Sequence, residues 1–271
     1  TVAPCSFYFT SHEDDWDEAV EYFETLGPVH RPARNLIGIE HLRNLEELRF
    51  FMDTVECDSN WFSLPGQLDS INEFRRLEHL PHLRTLITAG RHARGLEDDV
   101  LNDLRLLRNL TGLTRLSVEN WGLTSTHGIQ NLINLEYLSL PFGNLSTLQG
   151  IERLTNLRQL SVNHNQLTNL NEVRNLVNLT NIVADNNQLI DIRAVARLPH
   201  LQTLNVSMNL LQTLPDLSAS DLQTPSLWGH PRYGTSFSSN RLSREELERN
   251  LPASLLETDD RWWRWQLERQ R

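Results

Sequence analysis

The sequence predicts an α/β solenoid: a stack of short coils, each giving one strand to a parallel sheet on the inner curve, with a helical cap at either end. Three observations predict it. Leu113, Leu135, Leu157, Leu179 and Leu201 recur at a spacing of 22 residues. Within each unit the same places are apolar: Leu157, Leu160, Val162, Leu167, Leu170, Val173 and Leu176 are repeated by Leu179, Ile182, Ala184, Leu189, Ile192, Val195 and Leu198. Asparagine holds one column, at Asn165, Asn187 and Asn209. Leu160-Ser161-Val162 alternates apolar, polar, apolar, as a short half-buried strand does. A unit this small cannot bury its own leucines. Stacking sets each leucine against its copy in the next coil and closes one continuous core.

The pattern is L-x-x-L-x-L-x-x-N-x-L, and from about Leu36 to Leu256 the chain resembles the leucine-rich repeat family, nearest the 22-residue class of bacterial internalins. The resemblance implies a right-handed solenoid in which the asparagine side chain bonds backbone groups of the tight turn after each strand, in keeping with the need of buried polar groups for partners. Trp121 and Gly143 interrupt the asparagine column, so their turns must be held by other means.

Residues 1–35 are expected to form the N-terminal cap. Residues 1–10, with Phe7, Tyr8 and Phe9, suit a first strand or an extended cap. Ser11-His12-Glu13-Asp14 is a capping-box pattern, and Trp16, Ala19, Val20, Phe23 and Leu26 share one face of a helix that stops at Gly27-Pro28. Repeats occupy 36–217, opening with Leu36, Ile39, Leu42, Leu45, Leu48 and Phe50. Two units are enlarged, with 38 residues from Leu45 to Leu83 and 30 from Leu83 to Leu113, which places insertions at 51–67 and 91–97. Ser70-Ile71-Asn72-Glu73 opens a short helix, and an amphipathic helix is expected through Val100, Leu101, Leu104 and Leu107. Residues 218–235 are a third insertion, carrying Trp228, His230 and Tyr233. In 236–271, Phe237 to Leu242 restores the pattern for a last strand, and Ser243-Arg244-Glu245-Glu246 is a second capping box. A terminal helix from Thr258 carries Trp262, Trp263, Trp265 and Leu267, and the whole segment looks like the C-terminal cap of bacterial leucine-rich repeat proteins.

Charge narrows the function. The net charge is −10, and residues 1–30 hold seven acids and no arginine, so the acid excess sits mainly on the N-terminal cap. That argues against a phosphate-contacting surface and for the absence of a nucleic-acid partner, and it is compatible with a basic protein partner. No apolar run has the length of a membrane span. Cys5 and Cys57 read as two reduced thiols of a cytoplasmic protein, with a disulfide between the N-terminal segment and the first insertion as the alternative. All 25 basic residues are arginine. A GC-rich genome accounts for that, although the 24 asparagines have codons as AT-rich as those of lysine. Selection against an acceptor amine is the other account, since lysine is the site of ubiquitination and acetylation.

On the strands, the residues flanking the buried ones form four stripes on the inner face. They are Arg115, Tyr137, Gln159, Asn181, Thr203; Ser117, Ser139, Ser161, Val183, Asn205; Glu119, Pro141, Asn163, Asp185, Ser207; and Asn120, Phe142, His164, Asn186, Met208. The stripes are polar and nearly uncharged, with aromatic, methionine and arginine side chains of the kind enriched at interface cores. The expected binding residues are Arg115, Tyr137, Phe142, Gln159, His164, Asn181, Asp185, Asn205 and Met208, with Trp61, Trp228 and Tyr233 from the insertion loops.

Catalysis finds no motif. There is no G-x-S-x-G, H-E-x-x-H, C-x-x-C or glycine-rich phosphate loop, so no enzyme, cofactor or metal is expected. His79 and His82 are three apart without a third ligand nearby in sequence. The expected function is binding of another protein by the concave face and its loops, as in an inhibitor or immunity protein. The rival is the substrate-recognition part of an effector secreted into a host cell, beside a ubiquitin ligase, motivated by the missing lysine. An enzyme using the cleft between 218–235 and the sheet is the third class weighed. Oligomeric state is not legible.

Overall fold

A computed structural model describes residues 8–10, 39–51, 71–90, 101–222, 235–252 and 255. The expected N-terminal helix, the terminal tryptophan helix, both cysteines and most of the three insertions lie outside the described residues.

The solenoid is built as the leucine spacing requires. Eight strands form one sheet in chain order: β1 (Tyr8–Thr10), β2 (Glu47–Phe51), β3 (Thr85–Ala89), β4 (Arg115–Glu119), β5 (Tyr137–Ser139), β6 (Gln159–Ser161), β7 (Asn181–Val183) and β8 (Thr203–Asn205). From β2 to β8 every pair is parallel, and Leu48, Leu86, Leu116, Leu138, Leu160, Ile182 and Leu204 stand in one register across the sheet. The strands that flank the two enlarged units keep this register. β1 adds to the open edge of β2 antiparallel, with Phe9 opposite Leu48. That fits the expected first strand, and it covers unpaired N–H and C=O groups at the sheet edge.

Among the described residues five return segments are short 3₁₀ stretches: Arg105–Leu107, Ile129–Asn131, Ile151–Arg153, Asn171–Asn175 and Arg193–Arg197. They send Leu107, Ile129, Ile151, Val173, Ala194 and Val195 into the core. The helix expected through Leu101 and Leu107 is reduced to the turn Arg105–Leu107. Leu101, Leu104 and Leu107 are all buried, so the apolar spacing records burial and not helix length. The helix expected after Ser70 is present as a 3₁₀ segment, Ile71–His79. One core runs from Ile39 to Leu255 without a break.

The asparagine column works as a ladder between coils. Asn187 Nδ2 donates to Ala184 O of its own turn at 3.1 Å and to Val162 O of the preceding coil at 3.0 Å, while its Oδ1 accepts the Leu167 N–H at 3.0 Å. Asn165, Asn209 and Asn240 repeat this arrangement. Asn240 extends the ladder past the third insertion, although the strand expected at Phe237 shrinks to one parallel bridge between Asn205 and Ser236.

The two interruptions have separate causes. Gly143 leaves room for the carboxamide of Asn165: a Cβ at position 143 would lie 2.7 Å from Asn165 Oδ1. Trp121 is an apolar wedge, 4% exposed, with its ring edge-on to Phe74 at 5.4 Å. Gly90 makes space for it, since a Cβ there would stand 2.6 Å from Trp121 Cδ2.

Beyond the last coil, α1 (Arg244–Asn250) begins as the sequence predicts, with Ser243 Oγ accepting the Glu246 N–H at 3.1 Å. The reciprocal half of the capping box is diverted. Glu246 Oε1 accepts from the Leu214 N–H at 2.8 Å and from Asn250 Nδ2 at 3.0 Å, so it ties α1 to the repeats.

Candidate functional site

The inner face of β4 to β8 displays the four stripes in register. In the first, the Arg115 guanidinium lies over the Tyr137 ring, 3.8 Å from its centroid, a cation–π pair that occupies the arginine. Gln159 is exposed and Asn181 is half-buried, bonded through Nδ2 to Thr203 Oγ1 at 2.6 Å and accepting from Thr180 Oγ1 at 2.7 Å. In the second and third stripes Ser161 Oγ donates to Asn163 Oδ1 at 2.9 Å. Asn205 and Asp185 face the same side but are only 2% and 7% exposed. Asn205 Oδ1 accepts from Ser207 N and Oγ. Trp61, Trp228 and Tyr233 lie outside the described residues.

The fourth stripe has a property that the sequence did not disclose. Asn120, Phe142, His164, Asn186, Met208 and Ser239 all have φ between 54° and 58°. In this left-handed conformation an L side chain costs roughly 1–2 kcal/mol, and asparagine and glycine bear it best. The turn imposes the conformation: the N–H groups of Asn120, Phe142, His164, Asn186 and Met208 bond the carbonyls of Pro141, Asn163, Asp185, Ser207 and Ser238 in the next coil. Phe142 and His164 stack with ring centroids 4.3 Å apart and planes at 14°. Phe142 is 36% exposed and Met208 54%.

A second polar ladder was also missed. Asn134, Asn156 and Asn178 donate through Nδ2 to Thr111 O, Ile133 O and Thr155 O of the preceding coil, at 2.8, 3.0 and 2.8 Å. Its signal was the Asn-Leu pair that opens three successive units at the repeat spacing. Buried amides on one side and edge amides on the other stiffen the frame that holds the inner face.

His79 shares a surface hollow with His41, Arg43, Glu78 and Pro81, and His82 does not line it. Among the described residues no three His, Cys, Asp or Glu side chains gather as a metal site. No helix among the described residues is long and apolar enough to cross a membrane.

No family model matches the chain, and no curated protein matches it. Solved structures do. The crystal structure of an internalin C2 from Listeria monocytogenes is similar at 23% identity and a TM-score of 0.58, over 70% of this chain and 74% of that one. A leucine-rich repeat protein of Leptospira interrogans is similar at 20% identity and a TM-score of 0.53, over 84% of this chain and 62% of that one. These likenesses and the register of the sheet agree on the fold, a leucine-rich repeat solenoid.

Proposed function

We propose that this leucine-rich repeat solenoid is a non-enzymatic binding module that grips another protein on its concave face, across Tyr137 of the first stripe and Phe142, His164 and Met208 of the fourth. The observation that carries this reading is the choice of side chain in the left-handed column. Glycine or asparagine would fit that backbone at lower cost, yet Phe142, His164 and Met208 stand there. Phe142 leaves 36% and Met208 54% of its surface to solvent, so each keeps apolar area for a partner to cover. Strain kept at an exposed site points to function, and aromatic and methionine side chains suit interface cores.

The face between β5 and β8 offers amides, hydroxyls and stacked rings in place of paired charges, which fits a specific protein surface better than a polyanion. An inhibitor or immunity protein, working in the cytoplasm, agrees with such a face and with the acid-rich first 30 residues, which favour a basic target. A recognition domain of a bacterial effector is favoured by one observation only, the absence of lysine among 25 basic residues. Neighbouring genes separate the two roles: a toxin gene speaks for the first, a secretion-system cluster for the second.

A pull-down from the source organism tests the face. Tyr137→Glu and Phe142→Asp are expected to abolish capture with the thermal midpoint unchanged within a few degrees, while Val177→Glu on the outer side leaves capture intact. The opposite pattern removes the concave face from the account.

A further inference from the structure

Among the described residues Asp185 is a carboxylate without an ion-pair partner, set among amides and hydroxyls of the inner face. Its Oδ2 accepts from Asn186 Nδ2 at 2.7 Å and its Oδ1 from Asn205 Nδ2 at 3.3 Å. Asn205 is itself anchored by Ser207, whose N–H and Oγ donate to Asn205 Oδ1 at 3.1 and 2.7 Å. Among the described residues no arginine or histidine forms an ion pair with Asp185. Arg115, the cation of the first stripe, stands three coils away and is committed to Tyr137 of its neighbouring coil. The amides fix the carboxylate and give hydrogen bonds, but they carry no net charge to offset its removal from water. A carboxylate accepts at about four sites, and the two amides fill two of them.

We propose that Asp185 is the socket for a cationic side chain of the protein partner, an arginine or a lysine. The inference rests on the concave-face reading and names the chemistry at its centre. Charge complementarity selects the occupant, because the surrounding Ser161, Asn163, Asn181, Asn186 and Ser207 are all neutral. A cation arriving from a partner is the group that compensates Asp185, and it reaches a carboxylate already oriented by its neighbours. The backbone N–H of His164 donates to the backbone carbonyl of Asp185 at 3.0 Å, so the residue that stacks on Phe142 stands in the adjoining coil. The buried amide scaffold makes the position selective, since a partner presenting a neutral or acidic group there leaves the carboxylate uncompensated.

The probe is a displayed library of random dodecapeptides, selected in parallel on the wild-type chain, on Asp185→Asn and on Phe142→Asp. Wild type is expected to enrich peptides with arginine or lysine at one fixed place, and Phe142→Asp to lose them. Asp185→Asn, which keeps the shape but can accept only one of the two amide bonds, is expected to bind the enriched peptide at least about 10-fold more weakly. Replacing that arginine by citrulline, or that lysine by acetyl-lysine, should weaken binding to wild type by a similar factor and leave binding to Asp185→Asn unchanged. The wild-type half of this arm does not depend on how well the variant folds. Peptides that require Phe142 but show no cationic preference, or whose neutral counterparts bind equally well, overturn the socket and leave the face standing. Failure to select any peptide sensitive to Phe142→Asp overturns the face and the socket together.

Discussion

Asn165 closes a turn that belongs to the coil before its own, and it does so across Gly143. Its Nδ2 donates to Leu140 O at 2.9 Å and its Oδ1 accepts the Leu145 N–H at 3.0 Å, while Gly143 contributes no side chain at all. Asn187, Asn209 and Asn240 reach the preceding coil in the same way, so Gly143 lacks a rung of its own and lies beneath the rung of the next coil. Gly143→Ala is expected to force the Asn165 carboxamide aside and cost about 1–3 kcal/mol, the range for overpacking. Asn187→Ala leaves the Leu167 N–H without its acceptor, while Val162 O and Ala184 O keep Asn165 and Asn209 as donors, and at about 1–3 kcal/mol for a buried group left unpaired it should cost about as much. Urea unfolding of both variants measures this.

The Trp121 wedge makes a contrast between two glycines. Gly90→Ala meets Trp121 Cδ2 at 2.6 Å and Asn120 O at 2.9 Å, and it is expected to cost more than about 2 kcal/mol. At Gly112 the nearest atoms lie 3.4 Å away, one of them the flexible Arg84 Nη1, so Gly112→Ala should change stability by less than about 1 kcal/mol. Denaturation followed by tryptophan fluorescence ranks them, and equal costs would remove the wedge from the account.

Strain in the left-handed column is testable at Met208. Met208→Gly relieves it at a site that loses little packing and should stabilise by about 0.5–1 kcal/mol, net of the added freedom of the unfolded chain. Met208→Val puts a β-branched side chain in the same backbone and should destabilise. If the concave reading holds, Met208→Gly also weakens partner capture, so stability and binding move in opposite directions.

Acid sensitivity has a local source at Asp191. The side-chain hydrogen bond from Arg193, joined by the Arg193 backbone N–H, lowers the carboxyl pKa below its ordinary value, against a smaller opposing effect of burial. A lowered folded-state value means that the contribution is present above the unfolded value of about 3.9 and is lost as pH falls through the folded value. Asp191→Asn retains an acceptor for the Arg193 N–H but not the charge. Its stability deficit against wild type, read from urea midpoints, is expected at pH 7 and to shrink below about pH 4.

The repeating core was legible in the sequence because leucine spacing and strand register are the same constraint: Leu160, Ile182 and Leu204 stack as their spacing requires. Return-segment geometry was not, since the burial of Leu101, Leu104 and Leu107 is equally consistent with a helix and with a 3₁₀ turn. At the site, the four stripes were readable from alternation, but not the depth of each residue. Asp185 and Asn205 occupy outward positions and yet are covered by their neighbours' amides and hydroxyls, which alternation does not encode. The left-handed backbone at Phe142 and Met208 was hidden for a related reason: the residues that usually announce it, glycine and asparagine, are missing there.

The concave face is tested most directly by placing a photocrosslinking phenylalanine analogue at one position at a time, at 142, 164 and 208 on the inner rim and at 133, 155 and 177 on the outer side, in the organism that makes the protein. The account predicts one crosslinked partner common to the three inner positions, lost when Tyr137→Glu is added, and none at the outer three. A partner captured from 133, 155 and 177 but not from the inner rim would contradict it.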